Sequence, residues 1–308
     1  MSHQIKMPWD ADVEIPPARA AMLIERQFPG LRPVHLAPFG TGWDNAAFLV
    51  NECFVFRFPR REISAPLIVR EARILPLLAP HLPASIPVPE FVGRPAEGFP
   101  YAFAGYTLLP GQTACRCAWS EHERTSQATI LAQFLASLHR TPIEAETLEW
   151  APGDEIERAN LLQRAPRLKE RLRENIAGLS ANELNAILEM VDELAATPMH
   201  TRPYCWVHGD FYARHLLYLA GRFTGVIDWG DVHIGDPAVD LAIAFSFLPP
   251  AAREAFRQDY GGIDEATWKR ARFRALHYGA VLIEYGASTG DEAIRAAGAY
   301  ALKYTPRD

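Results

Sequence analysis

The chain has 308 residues, 49% of them hydrophobic, and a formal net charge of −6. That is enough apolar material for two lobes, and the mild acidity, without any block of Lys and Arg, argues against nucleic acid or an anionic membrane as partner. Residues 1–10 lack the charged start and apolar stretch of a secretory signal, and the apolar run at 241–248 is too short to span a bilayer, so a cytoplasmic location is expected. Of the four cysteines, Cys53 and Cys205 lie in apolar runs and Cys115 and Cys117 are one residue apart, which is no recognised zinc or redox spacing.

Taken in order, residues 17–28 read as an amphipathic helix entered through prolines and stopped by Pro29-Gly30. Short apolar segments at 34–39, 46–50 and 53–58, punctuated by Gly40, Gly42 and Asn51-Glu52, read as strands. Leu67, Ile68, Ala72, Leu75 and Leu78 then repeat at helical spacing, with Glu71 among them. Strands are expected again at 90–93 and 101–109, and Pro110-Gly111 marks the lobe boundary, dividing the chain into 1–110 and 111–308. Beyond it the pattern is helical. Ser120 with Glu123, and Ser180 with Glu183, are capping boxes, the first ahead of Ile130, Leu131, Phe134, Leu135 and Leu138, the second ahead of Leu184, Ile187, Leu188, Val191 and Leu194. The charge-rich stretch 155–174 reads as a solvated helix, part of a lid. Helices are expected from 250 to 260 and from 265 to about 286.

Between these lie two aspartates at the ends of apolar runs. Asp210 follows Cys205-Trp-Val207 and His208-Gly209, and Asp228 follows Val226-Ile227 and precedes Trp229-Gly230. Phosphoryl transfer from a nucleotide needs such a pair, one carboxylate to take the proton of the attacking hydroxyl and one to hold the Mg²⁺ on the phosphates. It also needs a cation and a cover for the phosphates. Arg57, a charge inside the apolar strand Phe54-Val-Phe-Arg-Phe58, precedes the helix that carries Glu71, the strand-to-helix order of the kinase Lys–Glu pair. Gly40-Thr41-Gly42-Trp43-Asp44-Asn45, between two strands, can bring backbone close to phosphate, although the same segment suits a plain hairpin. His208 is expected to be structural, Asp236 and Asp240 to brace the catalytic loop and start the next helix, and His139 to pack or cap.

Together these residues resemble the aminoglycoside phosphotransferase family, whose fold is similar to that of protein kinases. The resemblance rests on Gly40–Asn45, Val55-Phe-Arg-Phe-Pro59, Ile86-Pro-Val-Pro-Glu90, the stretch 206–215, and Ile227-Asp-Trp-Gly with Asp236-Pro237. It implies an α+β, bilobal protein-kinase-like fold with a β-rich N-lobe and a mainly helical C-lobe. By the same resemblance Asp210 is the base, Asp228 a Mg²⁺ ligand, Arg57 the phosphate contact with Glu71 as partner, and Tyr106, Thr107 and Leu109 belong to the hinge that reads the nucleobase, with ATP or GTP as donor. His215 stands where most kinases carry a metal-binding Asn; the aminoglycoside 2″- and macrolide 2′-phosphotransferases can carry His there, so this chain resembles that branch.

The implied acceptor is an aminoglycoside-type antibiotic, with a macrolide or another hydroxylated metabolite as alternative. A polycationic acceptor calls for carboxylates, and Asp231 and Glu284 are the leading candidates, ahead of Glu254 and Asp259. Residues 241–250 are apolar, the composition of an acceptor wall for a macrolide. A nucleotide-binding pseudokinase is the competing reading from another class, supported by Arg57 and His215. A metal-dependent hydrolase using His208, Asp210 and His215 is a third.

Overall fold

The computed structural model describes residues 11–42, 44–175, 179–201 and 204–307. Residues 1–10, on which the reading of the N-terminus rests, and Trp43 of the glycine segment lie outside them. The chain divides into two compact units, one of residues 1–80 and 85–109, the other of residues 81–84 and 110–308.

The first unit is a five-stranded antiparallel sheet with a helix on each face. Its elements are α1 (Pro17–Gln27), β1 (Leu36–Thr41), β2 (Asn45–Val50), β3 (Phe54–Pro59), α2 (Ala65–Leu78), β4 (Pro89–Gly93) and β5 (Phe103–Thr107), with strand order β1-β2-β3-β5-β4. Alternation along the strands sorts the side chains. Phe56 and Phe58 of β3 and Phe103 of β5 join Ala20, Leu23 and Ile24 of α1 in one core, while Ala104 and Tyr106 of β5 pack with Ile68 of α2. The α1 face is built of rings, among them Phe58 stacked on Phe103 at 4.5 Å and Phe56 on Phe91 at 5.6 Å. Gly105 is required there: a Cβ at that position would lie 2.4 Å from the Phe56 ring.

The second unit contains β6 (Gln112–Thr113), α3 (Glu121–Thr125), α4 (Ala128–Arg140), α5 (Ala145–Leu148), α6 (Leu161–Asn175), α7 (Ala181–Ala195), β7 (Cys205–Val207), β8 (Leu216–Leu219), β9 (Arg222–Val226), β10 (His233–Gly235), α8 (Ala238–Leu241), α9 (Ile243–Ser246), α10 (Arg253–Tyr260), α11 (Glu265–Thr289) and α12 (Glu292–Tyr304). Both capping boxes form, with Ser120 and Ser180 each accepting from the backbone N–H three residues on. The first opens only the short α3, and the apolar face expected after it belongs to the separate α4.

Two expectations change. The stretch 155–174 is not a solvated helix: α6 begins at Leu161, and Leu161, Ala165, Leu168 and Leu172 are buried against α7 and α11. They recur three or four residues apart, so one stripe of the helix is core despite its many charges. Residues 241–248 are not an exposed wall either, since Leu241, Ala242, Ile243, Ala244, Phe245, Phe247 and Leu248 are all at most 2% exposed. They are core of the second unit.

Candidate active site

In the first unit, Arg57 lies on the α2 face of β3 because Phe54, Phe56 and Phe58 take the other face. Its Nη1 donates to both oxygens of Glu71, at 2.9 and 3.0 Å, and Glu71 is fully buried while the Arg57 side chain keeps 16% exposure. A buried carboxylate demands partners, and a second donor is the Tyr106 hydroxyl, at 2.8 Å from Oε2. Tyr106 is thus a mid-sheet residue, paired with Val55 and Pro89, whose side chain fixes the ion pair. Thr107 ends the strand, its hydroxyl on Glu90, and the next backbone donor, Leu108 N–H, is used by the Cys53 carbonyl at 2.7 Å; Leu109, half-buried, closes the unit. Gly40, Thr41, Gly42 and Asn45 form the β1–β2 hairpin, closed by Gly42 N–H to the Asn45 carbonyl at 2.9 Å. The space a Gly40 side chain would occupy is open.

In the second unit, β7 pairs with β10 and β8 with β9, so the loop after β7 carries Asp210 and the loop after β9 carries Asp228. The first loop is held by a buried acceptor. Asp240, on α8, accepts the backbone N–H of His208 at 2.6 Å and of Gly209 at 3.0 Å. His139 Nε2 donates to the same carboxylate at 3.2 Å, and its Nδ1 accepts from the Tyr260 hydroxyl at 2.9 Å. Burial would raise the Asp240 carboxyl, but the hydrogen bonds from His139 and from the His208 backbone help hold it below its usual value. Asp236 caps the turn into α8 through Ala238 N–H at 2.9 Å and accepts from Arg270 at 2.6 Å. Gly209 turns at φ 87°, where a Cβ would lie 2.3 Å from the Asp231 carbonyl. Tyr278 of α11 donates to the Gly209 carbonyl at 2.9 Å.

The His208 ring ties the two loops together, accepting from Asp210 N–H at 3.2 Å and donating from Nε2 to the Ile227 carbonyl at 3.1 Å. It is fully buried, and burial lowers its pKa, so it stays a neutral strut. The Asp210 side chain retains 31% exposure. Its carboxyl is pushed up to about 8, by desolvation first and then by Asp231 and Asp228, against the pull of Arg158 and Arg274. Asp228 sits at φ 64°, a left-handed backbone that costs a non-glycine residue of order 1 kcal/mol and is concentrated at functional sites.

His215 decides what lies between the loops. Its Nδ1 is 2.9 Å from the Asp210 carbonyl and must donate to it, which leaves the Nε2 lone pair facing Asp228 Oδ2 at 3.3 Å. Burial drops the imidazole to about 4, so the ring is neutral near pH 7. Two acceptors then point at each other, an arrangement stabilised by a cation that both can bind. Among the described residues no cluster of three or more His, Cys, Asp or Glu forms a metal site, so these two donors would leave most of the coordination sphere to phosphate and water, as Mg²⁺ prefers.

The sequence pattern of a phosphotransferase enzyme family matches residues 35–274. The chain belongs to that family. An aminoglycoside 3′-phosphotransferase from Streptomyces fradiae is 30% identical over a 190-residue alignment that covers 57% of this chain and 67% of that protein. Among solved structures, the GDP complex of aminoglycoside 2′-phosphotransferase-IIIa superposes with TM-score 0.69 at 22% identity, over 95% of this chain and 99% of that one. The macrolide 2′-phosphotransferase MphH from Brachybacterium faecium gives 0.60 at 23%, over 93% and 97%. The fold of this phosphotransferase is therefore the kinase-like α+β fold, with a β-sheet N-terminal region and a helical C-terminal region.

The two carboxylates expected to meet a polycation are already engaged. Asp231 is ion-paired with Arg158, and Glu284 with Arg171. Arg158 and Arg274, which flank Asp210 electrostatically, went unread because they lie 52 and 64 residues from it with no motif around them. The one local signal was Asp154 and Arg158 at i,i+4 spacing, which do pair, at 3.3 Å.

Proposed function

We propose that this phosphotransferase moves the γ-phosphoryl group of ATP or GTP to a hydroxyl of a small molecule, with Asp210 as the base that receives the hydroxyl proton. The observation that carries the reading is the construction around Asp210: a loop pinned by Asp240 and His208, beside a histidine and an aspartate whose facing acceptors suit a cation. A carboxyl raised toward neutrality suits a group that must take up a proton and release it again. His215 and Asp228 would hold Mg²⁺, which when bound neutralises phosphate charge. Arg57, fixed by Glu71 and Tyr106, is the phosphate contact, and its planar fork can serve carboxylate and phosphate together. Gly40, Thr41, Gly42 and Asn45 would cover the phosphates, and Thr107 and Leu109 would flank the nucleobase. A cytoplasmic setting, where both nucleotides are at hand, goes with this role.

The pinned loop favours an enzyme over a pseudokinase, because a braced Asp210 has no use in nucleotide binding alone. A coupled assay for nucleoside diphosphate release, run with MgATP and MgGTP over aminoglycosides, macrolides and simple hydroxylated metabolites, tests the reading. Acceptor-dependent release is expected. Nucleotide binding without release for any acceptor, and without hydrolysis, would sink it.

A further inference from the structure

Phosphoryl transfer leaves one group of side chains without a role. Arg158, Arg164 and Arg274 come from the loop before α6, from the first turn of α6 and from the middle of α11; Arg158 and Arg274 are in contact and act on Asp210, and Arg164 lies within electrostatic reach of both arginines. Arg274 is only 3% exposed. Its guanidinium carbon lies 4.6 Å from the centroid of the Tyr278 ring, and Tyr278 in turn holds the Gly209 carbonyl, one residue before Asp210. Its Nη1 reaches the Arg158 carbonyl at 3.4 Å, and its Nε is buried with no hydrogen-bond partner among the described residues. Arg164 donates to the carbonyls of Glu157, at 2.8 Å, and Ile156.

Arg158 has its carboxylates, Asp154 and Asp231. Arg164 and Arg274 have none within ion-pair distance among the described residues. The excess continues along α6, since His277 of α11 sits in the combined field of Arg274, Arg164, Arg171 and Arg167, of which, among the described residues, only Arg171 is paired with an acid. A guanidinium does not shed its proton at physiological pH, and burying one without a counter-charge is costly. Burial first, and then Arg274 and Arg158 against the pull of Asp154, pushes Arg164 down to about 10. Asp210, which acts on Arg274 through space, is kept in the proposed reaction for the acceptor hydroxyl, and Asp228 faces His215.

We infer that the acceptor is an anionic alcohol, a small hydroxylated molecule bearing a carboxylate or a phosphate that Arg164 and Arg274 receive while its hydroxyl meets Asp210. The inference rests on the phosphotransferase reading above and names its substrate class. In the step it describes, the acceptor oxygen bonds to the γ-phosphorus and the bond from that phosphorus to the β–γ bridging oxygen breaks. The electron pair leaves on the nucleoside diphosphate, and the hydroxyl proton passes to Asp210. A polycation in the same position would face two uncompensated guanidiniums, with Asp231 and Glu284 already taken.

The test uses the full chain with MgATP or MgGTP and four probes: D-gluconate, D-glucose 6-phosphate, neutral D-glucose and polycationic kanamycin. Binding is read by calorimetry with a non-hydrolysable nucleotide present, and transfer by the coupled assay. At least one anionic probe is expected to bind at least about tenfold more tightly than D-glucose, and Arg274→Gln and Arg164→Gln are each expected to shrink that preference about tenfold, with Arg274→Lys restoring part of it. Arg164, half-buried at a helix start, gives a variant that folds even where Arg274→Gln does not. Gluconate binding with glucose 6-phosphate excluded, or the reverse, supports the inference and tells carboxylate from phosphate. Tighter binding of kanamycin than of both anions, no preference of either anion over D-glucose, or an Arg274→Gln defect equal for all probes overturns it. The phosphotransferase reading fails separately, when no probe and no water accepts phosphate in an Asp210-dependent way.

Discussion

Asp240→Asn isolates the device that positions the catalytic loop. Three donors converge on its two oxygens: His208 N–H and His139 Nε2 on Oδ2, Gly209 N–H on Oδ1. Asparagine keeps the shape but offers one acceptor, so its amide N–H₂ must face a buried donor. Hydrogen bonds to a charged group are worth roughly 1.5–3 kcal/mol each, and the substitution removes one outright and the charge from the other two, a loss of about 3–4 kcal/mol. Against a stability on the order of 5–15 kcal/mol this is large, and it moves a urea midpoint by roughly 1 M. Displacement of Asp210 by about 1 Å adds a loss in kcat of about 100-fold. Because the Asp240 carboxyl lies below its usual value in the folded state, its contribution is present above the ordinary carboxylate pKa and is lost as pH falls through the folded one. The stability gap between the two proteins should therefore narrow in acid. Urea titrations at neutral and acid pH with parallel rate measurements decide it. An unchanged midpoint together with kcat within twofold of the parent refutes the brace.

Three further outcomes follow from the same geometry. His215→Ala removes the nitrogen facing Asp228, and the Mg²⁺ concentration for half-maximal rate should rise at least about tenfold, a metal titration checking it; an unchanged requirement makes His215 a spacer. Tyr106→Phe takes a hydrogen bond from buried Glu71 and should destabilise the first unit by about 1–2 kcal/mol while raising the nucleotide KM several-fold, read by thermal unfolding and initial rates. Asp231→Asn removes a negative charge that raises the Asp210 carboxyl and releases Arg158, which lowers it. Both changes act in one direction, so the acid limb of the kcat/KM profile should move to lower pH, and a limb that stays in place removes Asp231 from the electrostatics of the base.

What the sequence made legible was local. The capping boxes at Ser120 and Ser180 and the strands around Arg57 were readable because each depends on neighbours within a few residues, and Arg57 with Glu71 was readable from the order strand, then helix. The second partner of Glu71 was not: Tyr106 is 35 residues away, and only the pairing of β5 beside β3 brings its hydroxyl to that carboxylate. α6 was misread because its charges outnumber its buried stripe, and 241–248 because a buried run and an exposed apolar wall have the same composition. The arginines near Asp210 were invisible for the same reason as Tyr106, since long-range packing assembles them and no spacing announces it.

The central claim is that Asp210 receives the acceptor's proton, and one pair of measurements on Asp210→Ala tests it most directly. Phosphoryl transfer should fall by about 100-fold or more, the usual scale of a general base, while the affinity for Mg-nucleotide stays within a few-fold of the parent, because the base acts on the acceptor. Transfer that persists at the parental rate, or nucleotide binding that is lost along with it, would contradict the assignment.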